Sequence, residues 1–474
     1  MSANVRTNTV RLARRDGHKM TDQRVPFEYP ELALSTDGKP VKAVTSESKH
    51  VLVIGAGVSG LMVAWILLDK GHRVTVLSQD WAWTNDFERS RIASQIAGAL
   101  WEFPPGGCGL TEIESPGAGW AAIDHYREWA LQSYEFYEKY LDVSNHYEAT
   151  GHSFGVKFAN LHQFFYTNVN GDDDDEESVK RKAIQTEADK GLIKGFHTYT
   201  KERMQTEFKD MIQTTFQNQS LESAYTHSAP IINTDKAMTY LMALVQAKGA
   251  SMETRKLDQP INAIGQQLLE DFDADAIVNA TGLGARELAG DADVYPVRGA
   301  VRRVENTNRG QFRHLKDAYL VPAQRDKNKH PTKTVFIVPR NDDVLYVGSI
   351  IQPNNHDLNL SPDSPEVRVM WDRAGAFMPS LLHAGFFPGF PFAQGLRPFT
   401  RRNVKVRADE KAAFPLVHNY GHGGSGWTLG MGTARCAVLI LERLWKDEKA
   451  AEINKAIYGG RPTEQHSRPR PSKL

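Results

Sequence analysis

Apolar residues along the chain fall into a few distinct rhythms. Residues 51–68, VLVIGAGVSGLMVAWILL, hold no charged side chain. The first part, His50–Ile54, reads as a buried strand. Gly55, Gly57 and Gly60 then punctuate the run, and apolar residues continue as a helix from about Val58 to Lys70. The stretch is near the length of a membrane span. Three glycines at turn spacing favour a buried strand, turn and helix instead. GHRVTVLS turns at Gly71 and makes a second strand, closing a βαβ beginning.

A helical period returns in 120–141, WAAIDHYREWALQSYEFYEKYL, whose aromatics suit a core. It returns again in 235–249, with Asp235 near the start and Gly249 past the end. SMETRKL and DADAIVNATG read as strands. VFIVP and VLYVGSI read as two more, flanking the turn RNDD. The block NGDDDDEESVKRK at 170–182 suits a solvated loop insertion, and it lacks the ligand spacing of a calcium loop. Residues 1–48 show no sustained period. Their Arg-rich start, with no acid before Asp16, suits a disordered basic extension or a transit peptide. No internal repeat is present. The pattern predicts an α/β chain, α+β overall, around a Rossmann-like core.

Composition narrows the function. With 474 residues there is room for two or three domains. The 57 basic and 57 acidic residues cancel, so nothing in the net charge points to nucleic acid. Two cysteines, Cys108 and Cys436, cannot make a disulfide framework and fit a reducing compartment. His418 and His422 have a helical metal spacing, but HNYGHGGSG is too glycine-rich to be a helix, so no metal site is expected. The chain closes with Ser472-Lys473-Leu474, the tripeptide read by the peroxisomal import receptor. A peroxisomal protein is the expectation.

The glycine loop is the first candidate for chemistry. Gly55 allows the tight turn, Gly57 lets the backbone approach a pyrophosphate, and Gly60 lets helix and strand pack closely. Helix amides after Gly57 then face the phosphates. The second strand would end on an acid for the ribose hydroxyls. Here Ser78 stands near that place and Asp80 two residues on. The loop alone does not separate NAD from FAD.

Further motifs follow in order: IASQIAGALWEFPP (92–105), IVNATGLGARELAG (277–290) with YPVRGAVRRV (295–304), GLRPFTRRNVKV (395–406) and LVHNYGHGGSGWTLGMGTA (416–434). With the glycine loop, this set resembles the D-amino-acid oxidase family of FAD enzymes. The resemblance spans most of 50–446 and is patchy between about 106 and 228. It implies a Rossmann-like FAD-binding domain (49–104, 229–295, 393–447) interleaved with a sheet-rich substrate domain (105–228, 296–392). An N-terminal extension (1–48) and a C-terminal tail (448–474) flank them.

The resemblance also implies which residues meet FAD. Gly55, Ala56, Gly57, Val58, Ser59 and Gly60 would meet the pyrophosphate, with Ser78 and Gln79 near the adenosine ribose. Ser94 and Gln95 would reach the phosphate and ribityl side, and Gly98, Ala99 and Leu100 would lie along the flavin. Leu257 matches the adenine-contacting position. Thr281 and Gly282 stand in the NATG turn. Gly424, Gly426, Trp427 and Thr428 would wrap the pyrimidine end.

Arg397, in GLRP, matches the family's carboxylate-binding arginine and would lie beside the flavin as well. With the carboxylate held, the substrate Cα–H can face flavin N5 and leave as hydride, and no side-chain base is required. The imine hydrolyses to a 2-oxo acid and ammonia, and O2 is reduced to hydrogen peroxide. One departure bears on the substrate. The family carries an active-site tyrosine where this chain has Phe336 in TVFIVPR. Tyr346 and Tyr319 are the nearby hydroxyls that could replace it. Ser425 stands where some members carry a bulkier residue. The leading expectation is a D-amino-acid oxidase, with a homodimer as one assembly it could form. The alternatives are an oxidase of a secondary or glycine-like amine, an NAD-dependent dehydrogenase resting on the glycine loop alone, and a flavin-binding protein without turnover.

Overall fold

The uncharged run at 51–68 lies at the middle of a six-stranded sheet. Its order is Ser251–Thr254, Arg73–Ser78, His50–Ile54, Ala276–Asn279, Leu416–Tyr420, Lys405–Ala408. All pairings are parallel except the last, where Lys405–Ala408 runs against Leu416–Tyr420. These strands belong to a computed structural model that describes residues 8–16, 27–82, 91–106, 119–144, 153–171, 175–216, 218–323 and 334–459.

Alternate side chains of a strand point to opposite faces. Val51 and Val53 pack with the helices Val58–Asp69, Thr234–Ala247 and Gly426–Leu444. Leu52 and Ile54 pack with residues of Ile261–Phe272 on the other side. Both faces are covered, which is why the strand reads as continuously apolar. The helix Ile123–Ser144 joins the first layer through Tyr126, Trp129 and Tyr137. Gly432 lets it come close, since a Cβ there would run into the Trp129 backbone.

The second sheet has nine strands and is largely antiparallel. Val294–Glu305 is its hub, pairing with Phe392–Thr400 on one side and Val344–Gly348 on the other. Val335–Pro339 follows, then Ala318–Val321, Val156–Phe165 and Ser223–Ile232. One face carries Val335, Ile337, Leu345, Val347 and Val304 against the helix Pro365–Phe377. The opposite face turns toward the segment 91–100 and carries the site.

Several expectations are corrected. The extension is not disordered over its described residues. Thr9–Leu12 pairs antiparallel with Leu32–Ser35, and Val10, Leu12 and Leu34 are fully buried. The Arg435 guanidinium donates to the Ala13 carbonyl at 2.9 Å. Asp69 and Lys248, both with fully buried side chains, form an ion pair at 2.7 Å. Asp69 also accepts from the Ser35 amide at 2.8 Å and from Trp65 Nε1 at 2.8 Å. The extension is thus a strap tied into the first helix. Acidic residues at 172–174 lie outside the described set, but the rest of that block opens a helix, Glu176–Asp189. Asp175 caps it by accepting from the amides of Glu177 and Ser178 at 3.0 and 3.2 Å. The strands Ser223–Ile232 and Phe392–Thr400 belong whole to the antiparallel sheet, across the expected boundaries at 229 and 393. The helix Ile123–Ser144 packs on the nucleotide side, although its segment was assigned to the substrate domain. Tertiary packing drew these borders, not local pattern.

Candidate active site

The carboxyl ends of the parallel strands form the crevice where such sheets bind ligands. Gly55 has φ of 113° and passes so close to the following strand that a Cβ would collide with the Ala280 carbonyl. A Cβ on Gly60 would collide with the Gly55 carbonyl. These contacts place Gly57 at the start of the helix Val58–Asp69, whose first amides have no side-chain cap from Gly57. Ser94 Oγ accepts from the Val58 amide at 3.0 Å.

A second helix begins beside the first. Gly426–Leu444 starts without a side-chain cap from Ser425, and a Cβ on Gly426 would sit 3.6 Å from Val58 Cγ1. Trp427 Nε1 donates to the Ser94 carbonyl at 3.0 Å, and Thr428 is buried in the first turn. His422 ties the two helices together. Its Nδ1 lies 3.4 Å from Ser59 Oγ, and its Nε2 lies 3.0 Å from Thr433 Oγ1. Burial pushes its pKa down to about 4, so the imidazole is neutral near pH 7. Two helix N-termini thus converge on one crevice, each presenting backbone amides. That is the donor set an anionic pyrophosphate and the carbonyl edge of a flavin require. The residues fit FAD.

At one end of the crevice, Thr254 pairs with Ser78 and the Arg255 amide donates to the Ser78 carbonyl at 3.0 Å. Ser78 Oγ donates to the Asp80 carbonyl at 2.8 Å, and Gln79 Nε2 donates to Asp80 Oδ2 at 2.9 Å. Leu257 packs against the apolar cluster of Ile261 and Leu268. Ser78, Gln79 and Leu257 therefore gather at neighbouring strand ends, away from Gly426. Ala56 is buried beneath the loop. Thr281 Oγ1 donates to Asn279 Oδ1 at 2.8 Å, and Gly282 (φ 58°) lies under Pro398. Gly424 and Ser425 complete the turn into the second helix, and Ser425 is buried.

The segment 93–100 bridges the two sheets. Gln95 is buried, and its carbonyl accepts from Thr234 Oγ1 at 2.6 Å. Ala99 takes φ of 47°, its carbonyl accepts from the Ile232 amide at 2.9 Å, and Leu100 bridges to Ile231. Gly98 meets the Phe336 ring, where a Cβ would come within 2.8 Å.

Across from this segment the antiparallel sheet presents Arg397, Gly299, Val301, Gly348, Phe336 and Tyr346. Phe336 and Tyr346 cluster with Ile96 and Val301. Arg397 pairs in register with Val297, and its guanidinium lies over Gly299, where any side chain would collide with it. Nη1 donates to the Ile350 carbonyl at 3.2 Å and Nη2 to Ser349 Oγ at 2.9 Å. A planar, fixed cation on a partly buried face is the geometry that binds a carboxylate.

Of the two candidate replacement hydroxyls, the structure separates them. Tyr346 shares the face of Phe336, and its hydroxyl accepts from Arg340. Tyr319 points to the opposite face and donates to Met211 Sδ at 3.4 Å. Arg340 is a residue the sequence pattern did not reveal. It is buried, donates also to Thr234 Oγ1, and pairs with Asp235 at 2.9 Å. It latches the antiparallel sheet to the helix that supports Gln95. Burial lowers its pKa. The spacing of His422 from His418 suggested only a metal pair that the glycines ruled out, and Ser349 and Gly299 carried no signal at all, because no spacing marks a residue whose partners lie in distant segments. Among the described residues no cluster is able to hold a metal, and no helix is long and apolar enough to cross a membrane.

The chain is similar to known proteins. The family model for DAO, FAD dependent oxidoreductase, matches residues 50–439. The D-amino-acid oxidase of Schizosaccharomyces pombe is 26% identical over 414 residues, covering 84% of this chain and 98% of that protein. That of Streptomyces coelicolor is 26% identical over 395 residues, covering 82% and 96%. Among solved structures, glycine oxidase from Geobacillus kaustophilus has a TM-score of 0.60 at 18% identity, covering 84% of this chain and 95% of its own. That likeness is one of fold. Two helix N-termini converging on one crevice, the glycine crossing and a match over most of the length agree: the chain belongs to the DAO family of FAD-dependent oxidoreductases, with FAD as its cofactor and FAD-dependent amino-acid oxidases as its relatives.

Proposed function

We propose that the chain oxidises a D-amino acid to its imino acid, which water converts to a 2-oxo acid and ammonia, while O2 becomes hydrogen peroxide. The observation that carries this reading is Arg397, held over Gly299 by Ser349 and Ile350 on the face that sets Phe336 against Gly98. Arg397 binds the substrate carboxylate and fixes its direction. Gly299 leaves the space the guanidinium occupies. Phe336, Val301 and Ile96 make an apolar wall that excludes water from the reacting carbon. An amine that enters neutral needs no side-chain base. Bound FAD supplies the two-electron acceptor and its reoxidation by O2.

A second reading keeps the cofactor and changes the substrate to a secondary or glycine-like amine. Phe336 favours it, because the wall there offers no hydroxyl.

The test is anaerobic mixing of the purified holoprotein with a panel of D-amino acids, followed by flavin absorbance. Bleaching that reverses when air enters, with peroxide formed, supports the first reading. Bleaching by sarcosine or glycine but by no larger D-amino acid supports the second. A peroxisomal destination is part of the proposal and rests on Ser472-Lys473-Leu474, which lies outside the described residues. Deleting those residues is expected to leave an N-terminally tagged fluorescent fusion in the cytosol.

A further inference from the structure

The missing hydroxyl at Phe336 raises the question of what else can donate to a bound carboxylate. Tyr319 faces away. The Tyr346 hydroxyl accepts from the buried Arg340 and keeps its own hydrogen, but it is the Ser349 hydroxyl that touches Arg397. Ser349 stands one residue past Gly348, and Gly348 pairs in register with both Phe336 and Val301. Its hydroxyl therefore sits beside the row that carries Phe336. Ser349 Oγ accepts from Arg397 Nη2 at 2.9 Å. Its own hydrogen goes to the Ile350 carbonyl at 3.2 Å, a long bond for a hydroxyl and one made to the adjacent residue. The same carbonyl already accepts from Arg397 Nη1 at 3.2 Å.

We propose that Ser349 is a specificity-determining residue that donates its hydroxyl hydrogen to the substrate carboxylate and so completes the anchor built on Arg397. A carboxylate seated on Arg397 is a stronger acceptor than the Ile350 carbonyl. The exchange needs only rotation about the Cβ–Oγ bond, while Oγ keeps its bond from Nη2. Half-burial of Ser349 leaves it reachable from the site without making it a core residue. The hydroxyl absent from Phe336 is thus supplied from the neighbouring strand end. This inference rests on the reading of Arg397 as a carboxylate anchor.

The experiment titrates holoenzyme with propionate, a carboxylate without an amine, and reads the visible flavin band. Steady-state O2 uptake with D-alanine runs beside it. Ser349→Ala is expected to weaken propionate about 10-fold and to raise KM by a similar factor. Its kcat stays within about 3-fold, because the carboxylate bond is made equally in ground and transition states. Ser349→Thr, which keeps the hydroxyl, restores both. Flavin content and melting temperature report that each variant is folded. Wild-type propionate affinity in Ser349→Ala, with binding lost in Arg397→Met, overturns the role of Ser349 and leaves the anchor standing. Wild-type affinity in Arg397→Met overturns the anchor itself. A fall in kcat with KM that Thr does not rescue also overturns the inference, since it marks Ser349 as mere support.

Discussion

On the proposed reading the two sheets would meet cofactor and substrate by different means. On the parallel sheet recognition would be by backbone: Gly55 passes the Ala280 carbonyl and Gly60 the Gly55 carbonyl at contact distance, and two helices begin at the crevice with no cap from their own N-cap side chains. On the antiparallel sheet it is by side chains: Arg397, Phe336, Tyr346 and Ser349 stand on one face. Backbone recognition admits almost no substitution, because a Cβ has nowhere to go. Side-chain recognition can change residue by residue while the sheet stays intact. On the proposed reading, a chain built this way would keep its cofactor while its substrate varies. Phe336 is the visible case.

Variants on the two sides should separate accordingly. On the nucleotide side, Lys248→Met is expected to have the largest effect. It leaves Asp69 buried without its cation, at the end of the helix that begins at Gly57. A loss of about 3–5 kcal/mol follows, read by urea unfolding. Equal stability of this variant and wild type would mean that the strap does not support the nucleotide side.

Gly60→Val drives a branched side chain into the Gly55 carbonyl. FAD affinity is expected to fall roughly 100-fold, measured by flavin fluorescence quenching on apoprotein. A yellow, tightly bound variant would break the contrast between the sheets.

Acid should act through a buried histidine on each side, His422 beside the nucleotide crevice and His227 on the antiparallel strand Ser223–Ile232. Burial holds His422 and His227 at about 4, against about 6.5 when unfolded. Both are neutral in the fold, so the unfolded chain binds more protons as pH falls. Their stabilising contribution is complete above about pH 6.5 and is lost as pH drops toward 4. The loss is on the order of 2 kcal/mol each near pH 5. Melting temperature across that window should fall less steeply in His422→Gln than in wild type.

The smallest effect belongs to the substrate side. Phe336→Tyr should keep wild-type flavin content and melting temperature and shift KM by about 10-fold or less. Steady-state kinetics on a D-amino-acid panel checks it. Loss of flavin in this variant would show that the substrate wall also holds the cofactor, through Gly98.

Much of the nucleotide side was legible beforehand. A strand, a glycine turn and a helix are contiguous in the chain, so 50–70 carries its own geometry. The blocks 92–105, 277–290 and 416–434 added the family and its cofactor because each is a local run with its own turn. The extension was misread because Thr9–Leu12 and Leu32–Ser35 pair across an intervening segment. The acidic block was misread because charge suggested solvent, while Asp175 was capping a helix.

What the sequence determined alone is therefore the local chemistry: a dinucleotide loop, its strand and helix, an arginine in GLRP and a phenylalanine before IVP. Short-range sterics dictate these, since glycine positions and apolar periods act within a few residues. What only the tertiary structure decided is which side chains share a face. The 47 residues between Ser349 and Arg397, the burial of Arg340 against Thr234 and Asp235, and the opposite facing of Tyr346 and Tyr319 depend on strand register. A one-residue slip in register reverses every face, and register is settled by pairing with segments far along the chain.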